Sequence, residues 1–140
     1  MSTISAAIAA SASALNAERT RMEVAVSNLA NAESTRGPDG QPYRRRDVVL
    51  TTAPQTFADA LGQASAAGVE AGVVEDTAPF RRRFDPSHPD ADPEGFVALP
   101  NVDTPEEMVN MLTASRAYQA NLTAIGLLRD IAQKSLELGK

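Results

Sequence analysis

The chain has no cysteine and no tryptophan, and a single histidine among its 140 residues. Without cysteine there is no disulfide, thiolate nucleophile, zinc finger or iron–sulfur cluster, and one histidine excludes a His-pair metal site within the chain. Aromatic residues make up 4% of the sequence, so bulky core-formers are scarce. Positive charge is also in short supply: 13 Lys+Arg stand against 18 Asp+Glu, a formal net charge of −5. That balance argues against a main task of gripping nucleic-acid phosphates or anionic lipid. Long apolar runs are absent too. The longest uncharged stretch, residues 1–17, contains four Ser, one Thr and one Asn, short of the roughly 20 apolar residues of a spanning helix. Its Ala12-Ser13-Ala14 has the small-x-small look of a cleavage site. The first basic residue, however, is Arg19, so there is no cationic leader and no cleaved signal is expected.

What is present is alanine, 25 residues of it, within a hydrophobic share of 43%. Small apolar side chains pack helices closely but give little bulk for a thick core. Charge and proline divide the chain in three. Residues 1–34 carry net −1, residues 104–140 net zero, and residues 35–103 net −4; eight of nine prolines lie between Pro38 and Pro100. The ends are therefore open to long helices, and the middle is interrupted every few residues.

Residues 3–31 read as one helix. Ile8, Leu15, Met22 and Leu29 recur every seven residues, with Ala12, Arg19 and Val26 between them, which is a heptad seam. A second helix opens at Thr104-Pro105-Glu106-Glu107, where Thr104 suits the cap, Pro105 the first helical position and Glu107 a capping box. Its seam runs Met108, Met111, Ser115, Tyr118, Leu122, Ile125, Arg129, Ala132 and Leu136, and Gly139 suits the stop. A helix this long cannot bury its stripe on itself, and the N-terminal seam is the partner available. Between the helices, a turn at Gly37-Pro38-Asp39-Gly40 precedes a candidate strand over residues 43–52, with others over 69–75 and 78–84. Residues 57–67 are Ala-rich and ambiguous. Residues 85–103, carrying Pro86, Pro89, Pro93 and Pro100, are expected to form an extended loop without regular structure. The predicted fold is mainly α with a small β insert. Residues 1–33 and 104–140 form a coiled-coil unit, and residues 34–103 form a β-rich and extended-loop middle.

Residues 85–95 gather the histidine and several carboxylates. Asp90-x-Asp92-x-Glu94-Gly95 resembles the start of a calcium loop, but the twelfth position is Asn101 rather than a bidentate Glu, and prolines block the flanking helices. Asp85, Ser87 and His88 are triad-type residues within four positions of each other, with no strained elbow for an oxyanion site, so a hydrolase centred on His88 is the enzyme rival and not the expectation. A Pro-stiffened recognition loop is the plainer reading. Arg44-Arg45-Arg46 and Arg81-Arg82-Arg83 lie near Tyr43, Phe80 and Phe84, a mixture that can hold single strands. Acidic neighbours favour strands with exposed Arg paired to Asp47, Glu75, Asp76 or Asp85. No Gly-rich phosphate loop occurs. No cofactor, metal, nucleic acid or small-molecule substrate is expected.

The two ends resemble the paired end motifs of the bacterial flagellar rod and hook axial proteins. The residues are Ser27-Asn28-Leu29-Ala30-Asn31-Ala32 at the close of the first helix, then Glu106-Glu107-Met108-Val109-Asn110-Met111 and Ala114-Ser115-Arg116-Ala117-Tyr118-Gln119-Ala120-Asn121 in the second. Pro42-Tyr43-Arg44-Arg45, Phe84-Asp85-Pro86-Ser87-His88-Pro89-Asp90-Ala91, Gly95-Phe96-Val97 and Pro100-Asn101-Val102 narrow the resemblance to the proximal rod members of the flagellar basal-body rod family. Where distal rod and hook members carry a Thr-Pro-Gly-Tyr type turn, this chain continues Ala32-Glu33-Ser34-Thr35-Arg36, as proximal rod members do. The match is thinnest over residues 53–72. The resemblance marks Asn28, Asn31, Tyr43, Pro86, His88, Pro89, Asn101, Arg116 and Asn121 as motif residues. It implies a structural rod subunit exported unfolded by the flagellar type III apparatus without a cleaved signal. Such a subunit assembles in the periplasm through its terminal helices with its own copies, other proximal and distal rod proteins, a rod-base adaptor and the membrane-ring protein. The rival from the binding class is a small adaptor with a helical hairpin and a β recognition insert.

Overall fold

The computed structural model describes residues 2–52 and 68–138. Helix α1 spans Ser2–Ala30, strands β1 to β4 span Arg46–Thr52, Val69–Glu75, Arg81–Phe84 and Phe96–Leu99, and helix α2 spans Thr104–Leu138. The helices run antiparallel. Asn28 near the end of α1 meets Glu107 at the start of α2, and Ile4 and Ile8 near the start of α1 flank a groove with Ala132 and Leu136 near the end of α2. Their pairing is the most extensive contact between elements. Among the described residues no helix is long and apolar enough to cross a membrane.

The α1 chain stops where Asn31 turns its side chain back, Nδ2 donating to the Ser27 carbonyl at 2.8 Å. Ser34 closes the turn on the Asn31 carbonyl through its N–H and its hydroxyl. The expected turn at residues 37–40 forms, with Gly40 N–H donating to the Gly37 carbonyl at 3.0 Å. Gly40 has φ 79°, a left-handed conformation that glycine adopts without strain.

Among the described residues the insert contains two separate antiparallel strand pairs, termed the first and second hairpins. In the first, β1 pairs with β2 in the register Val48↔Val73, Leu50↔Ala71, Thr52↔Val69. It lies against α1, where the Ser13 hydroxyl accepts the Val69 N–H at 2.9 Å. In the second, β3 pairs with β4 in the register Arg81↔Leu99, Arg83↔Val97, Phe84↔Phe96. Val97 and Leu99 point inward and, with Pro100 and Val102, are buried in the same way as Ala32 of the turn and Ala114 of α2.

Several sequence expectations shift. Residues 85–103 are not wholly irregular, because Phe96–Leu99 forms β4. Four residues between Pro93 and Pro100 are too short a run to display a period. The first strand starts at Arg46 rather than at Tyr43, and the third is confined to Arg81–Phe84. The stretch 57–67 lies outside the described residues. Asp103, not Thr104, caps α2: its Oδ1 accepts the Glu106 N–H at 3.2 Å and its carbonyl the Glu107 N–H at 3.0 Å. Pro105 therefore occupies the second helical position, where a missing N–H is equally harmless.

The pairing stripes also differ in phase from the heptads. On α1 the buried positions are Ala17, Glu18, Ala25 and Asn28, while Ile8, Leu15, Met22 and Leu29 are half-buried and Val26 is exposed. On α2, Met111, Tyr118, Ile125 and Ala132 are half-buried along with Asn121 and Leu128, and Ala114 is fully buried. Met108, Leu122 and Leu136 stay more than half exposed, so the expectation that all three pack into the helix pair is corrected. Leu136 still borders the groove beside Ile4 and Ile8. Part of the reason is steric: small residues such as Ala17, Ala25 and Ala114 let backbones approach, while Asn28 and Glu107 are buried because their polar atoms are bonded.

Candidate functional site

Asn28 in the last turn of α1 is fully buried and uses all four hydrogen-bonding positions of its amide. Its Oδ1 accepts from the Tyr43 hydroxyl at 2.9 Å and the Arg46 N–H at 3.0 Å. Its Nδ2 donates to the Arg46 carbonyl at 2.8 Å and to Glu107 Oε2 at 2.9 Å. Toward Arg46 the side chain thus behaves like a neighbouring strand. The Tyr43 hydroxyl also lies 3.3 Å from Ser27 Oγ.

Glu107, 2% exposed, takes the Arg45 Nε–H on its other oxygen at 2.7 Å. Arg45 reaches Asp76 at 3.5 Å, Asp47 at 3.6 Å and Glu106 at 3.8 Å. Burial opposes the guanidinium charge, but the hydrogen bond and charge of Glu107, with Asp47 and Glu106 behind it, outweigh burial and raise the Arg45 pKa above its ordinary value. The Arg45 N–H donates to Asn101 Oδ1 at 2.9 Å, while Asn101 Nδ2, also buried, has no partner among the described residues. One network therefore buckles together the end of α1, the approach to β1, Asn101 two residues before the α2 cap, and the first turn of α2. It brings Asn28, Tyr43 and Asn101 into one cluster, with Asn31 one turn away.

The loop between β3 and β4 is a second, separate constellation. The His88 ring accepts the Asp90 N–H on Nδ1 at 3.1 Å, and the Ser87 hydroxyl donates to Asp85 Oδ1 at 2.8 Å. Serine and imidazole are thus held by different partners and do not form a relay. Asp90 accepts from the Thr35 hydroxyl at 2.8 Å and lies 3.5 Å from Arg36. Asp92 Oδ1 takes the N–H groups of Glu94 and Phe96, and Arg82 lies 2.7 Å from Oδ2. The Phe96 N–H bond, against a smaller burial effect and aided by Arg82, holds the Asp92 carboxyl below its usual pKa. Pro86 and Phe84 crowd Gly95, and Pro89 is exposed. Arg116 is exposed on α2; Asn121 is half-buried and donates to the Ala117 carbonyl at 3.0 Å. These motif residues stand apart from the buckle. Among the described residues no three His, Asp or Glu gather as a metal-ligating group.

The Arg triplets engage the protein itself. Arg81 donates to the Val102 carbonyl at 2.7 Å, Arg82 pairs with Asp92, and Arg83 with Glu33 at 3.1 Å. Arg44 donates to the Asp76 and Ala78 carbonyls, and Arg46 stands 4.0 Å from Glu75. Sequence reasoning missed Glu107 and Arg45 as the centre of the buckle. The usable signal was alternation: in an extended run Arg45 points away from Arg44 and Arg46, toward the interior.

Comparison with known proteins places both helices. The family described as "Flagella basal body rod protein" matches residues 4–38, and that described as "Flagellar basal body rod FlgEFG protein C-terminal" matches residues 94–138. The two matches cover α1 and α2 and include Asn28, Asn101 and Glu107, so the class is that of a flagellar basal-body rod protein. The chain is 47% identical over 128 residues to the flagellar basal-body rod protein FlgC of Salmonella typhimurium, covering 91% of this chain and 92% of that one. It is 44% identical over 128 residues, with the same coverage, to FlgC of Yersinia enterocolitica. With FlgC of Bacillus subtilis it shares 40% over 141 residues, covering 93% and 94% of the two chains. The chain belongs to the FlgC family of flagellar basal-body rod proteins and is a structural subunit of the basal-body rod.

Proposed function

We propose that this chain is a non-enzymatic subunit of the proximal rod, which joins neighbouring copies through the outer surfaces of its helix pair and passes motor torque along the rod. The observation that carries this reading is a second apolar row on α2. Val109, Leu112, Leu127 and Ile131 are all at least half exposed. At about 100° per residue they fall within one arc of about 100°, roughly opposite the arc of Glu107, Ala114, Asn121 and Leu128 that faces α1. A helix already paired on one side and apolar on the other is suited to a further helix there, and copies of the same chain supply it. The buckle suits torque, because a buried charge pair and a saturated amide resist bending between insert and helices. In this reading the other partners are proximal and distal rod proteins, the rod-base adaptor and the membrane-ring protein. The subunit reaches the periplasm unfolded through the type III export apparatus, without a cleaved signal.

The test is a deletion strain complemented with wild type, Ile125→Asp or Glu137→Ala. Ile125 is half-buried on the face toward α1, with Arg129 the cation one turn on. Ile125→Asp is expected to be exported but to leave cells without rods and non-motile, while Glu137→Ala, exposed near the end of α2, behaves as wild type. Recovery of complete rods from the uncomplemented deletion strain would refute the reading.

A further inference from the structure

Between the turn at residues 37–41 and the first hairpin lies an open cleft of about 640 Å³. Three arginines line it. Arg44 is fixed by the Asp76 and Ala78 carbonyls at 3.2 and 3.3 Å, with its guanidinium 4.6 Å over the Phe80 ring, and it has no carboxylate within 4.0 Å among the described residues. Arg46, half exposed, lies 5.8 Å over Tyr43 and only 4.0 Å from Glu75. Arg36, 69% exposed, shares Asp90 with Thr35 at 3.5 Å. Elsewhere in the insert each arginine has a contact of 3.1 Å or less to a carboxylate or carbonyl. Within the described part of the insert, positive charge is thus left incompletely paired in this one place, although the whole chain carries a net charge of −5. Two lining carboxylates, Asp39 and Glu75, weaken the cleft for polyphosphate but leave it attractive to a segment with one or two carboxylates.

The complementary surface is on the same molecule. Arg45 points to the other side of the strand approach, and around it Asp47 and Glu106 stand exposed at 3.6 and 3.8 Å from its guanidinium. They share Arg45 with Glu107, which holds it more closely at 2.7 Å. One side of the segment 44–47 therefore carries surplus cation and the other surplus anion.

Resting on the rod reading above, we propose that the Arg36–Arg44–Arg46 cleft is a docking site for a second copy of this chain, receiving its Asp47 and Glu106 carboxylates. Because the two surfaces differ, the contact is heterologous. It therefore propagates around a ring or helix instead of closing a two-fold dimer. The cleft floor includes Tyr43, whose hydroxyl bonds Asn28, so a docked neighbour bears directly on the buckle.

The experiment is a charge swap in the complemented deletion strain. Arg36→Glu with Arg46→Glu removes no side-chain hydrogen bond to backbone. It is expected to leave export unchanged and lower rod recovery by about tenfold or more, like-charge contact costing well over the 1.4 kcal/mol of a tenfold change. Adding Asp47→Arg and Glu106→Arg in the same chain is expected to restore rods to within about twofold of wild type. Rods of normal yield from the Arg pair alone overturn the proposal. So does loss that the acidic-side reversal fails to restore while the purified variant melts as wild type does. Should the reversed chains melt lower, the absence of cysteine provides a second readout that leaves the arginines intact. Gln41→Cys with Glu106→Cys is expected to give disulfide-linked copies in isolated rods, and uncrosslinked chains from oxidised rods overturn the proposal. If the deletion strain builds rods unaided, the rod reading has failed; if it does not, and the Arg pair is silent, only the cleft assignment has.

Discussion

The two ends of the helix pair solve the same problem in opposite ways. At the junction with the insert, Asn28 and Glu107 are buried and every polar atom of both side chains is matched within the chain. At the far end a groove lies open between Ile4, Ile8, Ala132 and Leu136, and Leu127 and Ile131 stand in solvent. Directional bonds need a fixed geometry and suit a joint that must hold its angle. Non-directional apolar surface tolerates adjustment and suits contacts made only on assembly. The contrast teaches that the junction is fixed by bonds within the chain, whereas the far end leaves apolar surface uncovered by the chain itself.

The hardest blow to that contrast is Glu107→Ala. It leaves the Arg45 guanidinium, 11% exposed, without its 2.7 Å partner and strands one Asn28 proton. Removing one member of a buried pair costs about 3–5 kcal/mol, a large part of the 5–15 kcal/mol or so available to a small domain. Circular dichroism melts should show this variant far less stable than Leu136→Ala at the open end. Equal melting would mean the two ends do not differ as described.

How much of this was readable beforehand follows from the physics of each part. Two long helices announced themselves because helical periodicity repeats over many turns, and proline is confined to the middle. The phase of their contact departs from the heptads because apolar size does not mark the buried line: Ala25 and Ala114 are buried as small residues and Asn28 as a fully bonded one. Glu107 read as a capping residue for the same local reason. A Glu in a first turn normally faces solvent, and nothing nearby in sequence reveals that Asn28, 79 residues away, awaits it. Sequence pairs the Arg triplets with nearby acids, and Asp47, Glu75 and Asp76 do lie beside them, whereas Asp85 forms no ion pair among the described residues. The family motifs mark Asn28, Tyr43 and Asn101 without saying that one network joins them, Asn28 to Tyr43 directly and Asn101 through Arg45; only the fold supplies that.

A smaller effect sharpens the distinction between junction and hairpin. Gly95 has φ 84°, and a Cβ there would lie 3.0 Å from Phe84 Cε2 and 3.1 Å from Pro86 Cγ. Gly95→Ala should cost about 1–2 kcal/mol from backbone strain, since the exposed Phe84 ring is free to turn aside. The loss should be local. Amide exchange should quicken at Asp92 and Phe96, whose mutual bond closes the loop, while helical dichroism stays unchanged. A fall in helicity would mean that the β3–β4 loop supports the helix pair more directly than its contacts indicate.

The smallest change in stability is expected at the open end, and it separates folding from assembly. Leu127 is 60% exposed on the outer row of α2. Leu127→Ser removes little buried area from the single chain, so its melting should stay within about 0.5 kcal/mol of wild type. In a rod the same side chain would be covered, and burying a leucine contributes about 1.5–3 kcal/mol at each contact. The variant should therefore fold as well as wild type and be exported as well, yet give fewer and shorter rods. Melting curves and counts of isolated basal bodies from one culture measure both quantities. If the rods are normal, the outer row is not a contact between subunits, and the open end needs another partner. If melting falls by several kcal/mol, Leu127 already belongs to the fold of the single chain, and the two ends are less unlike than their exposure makes them.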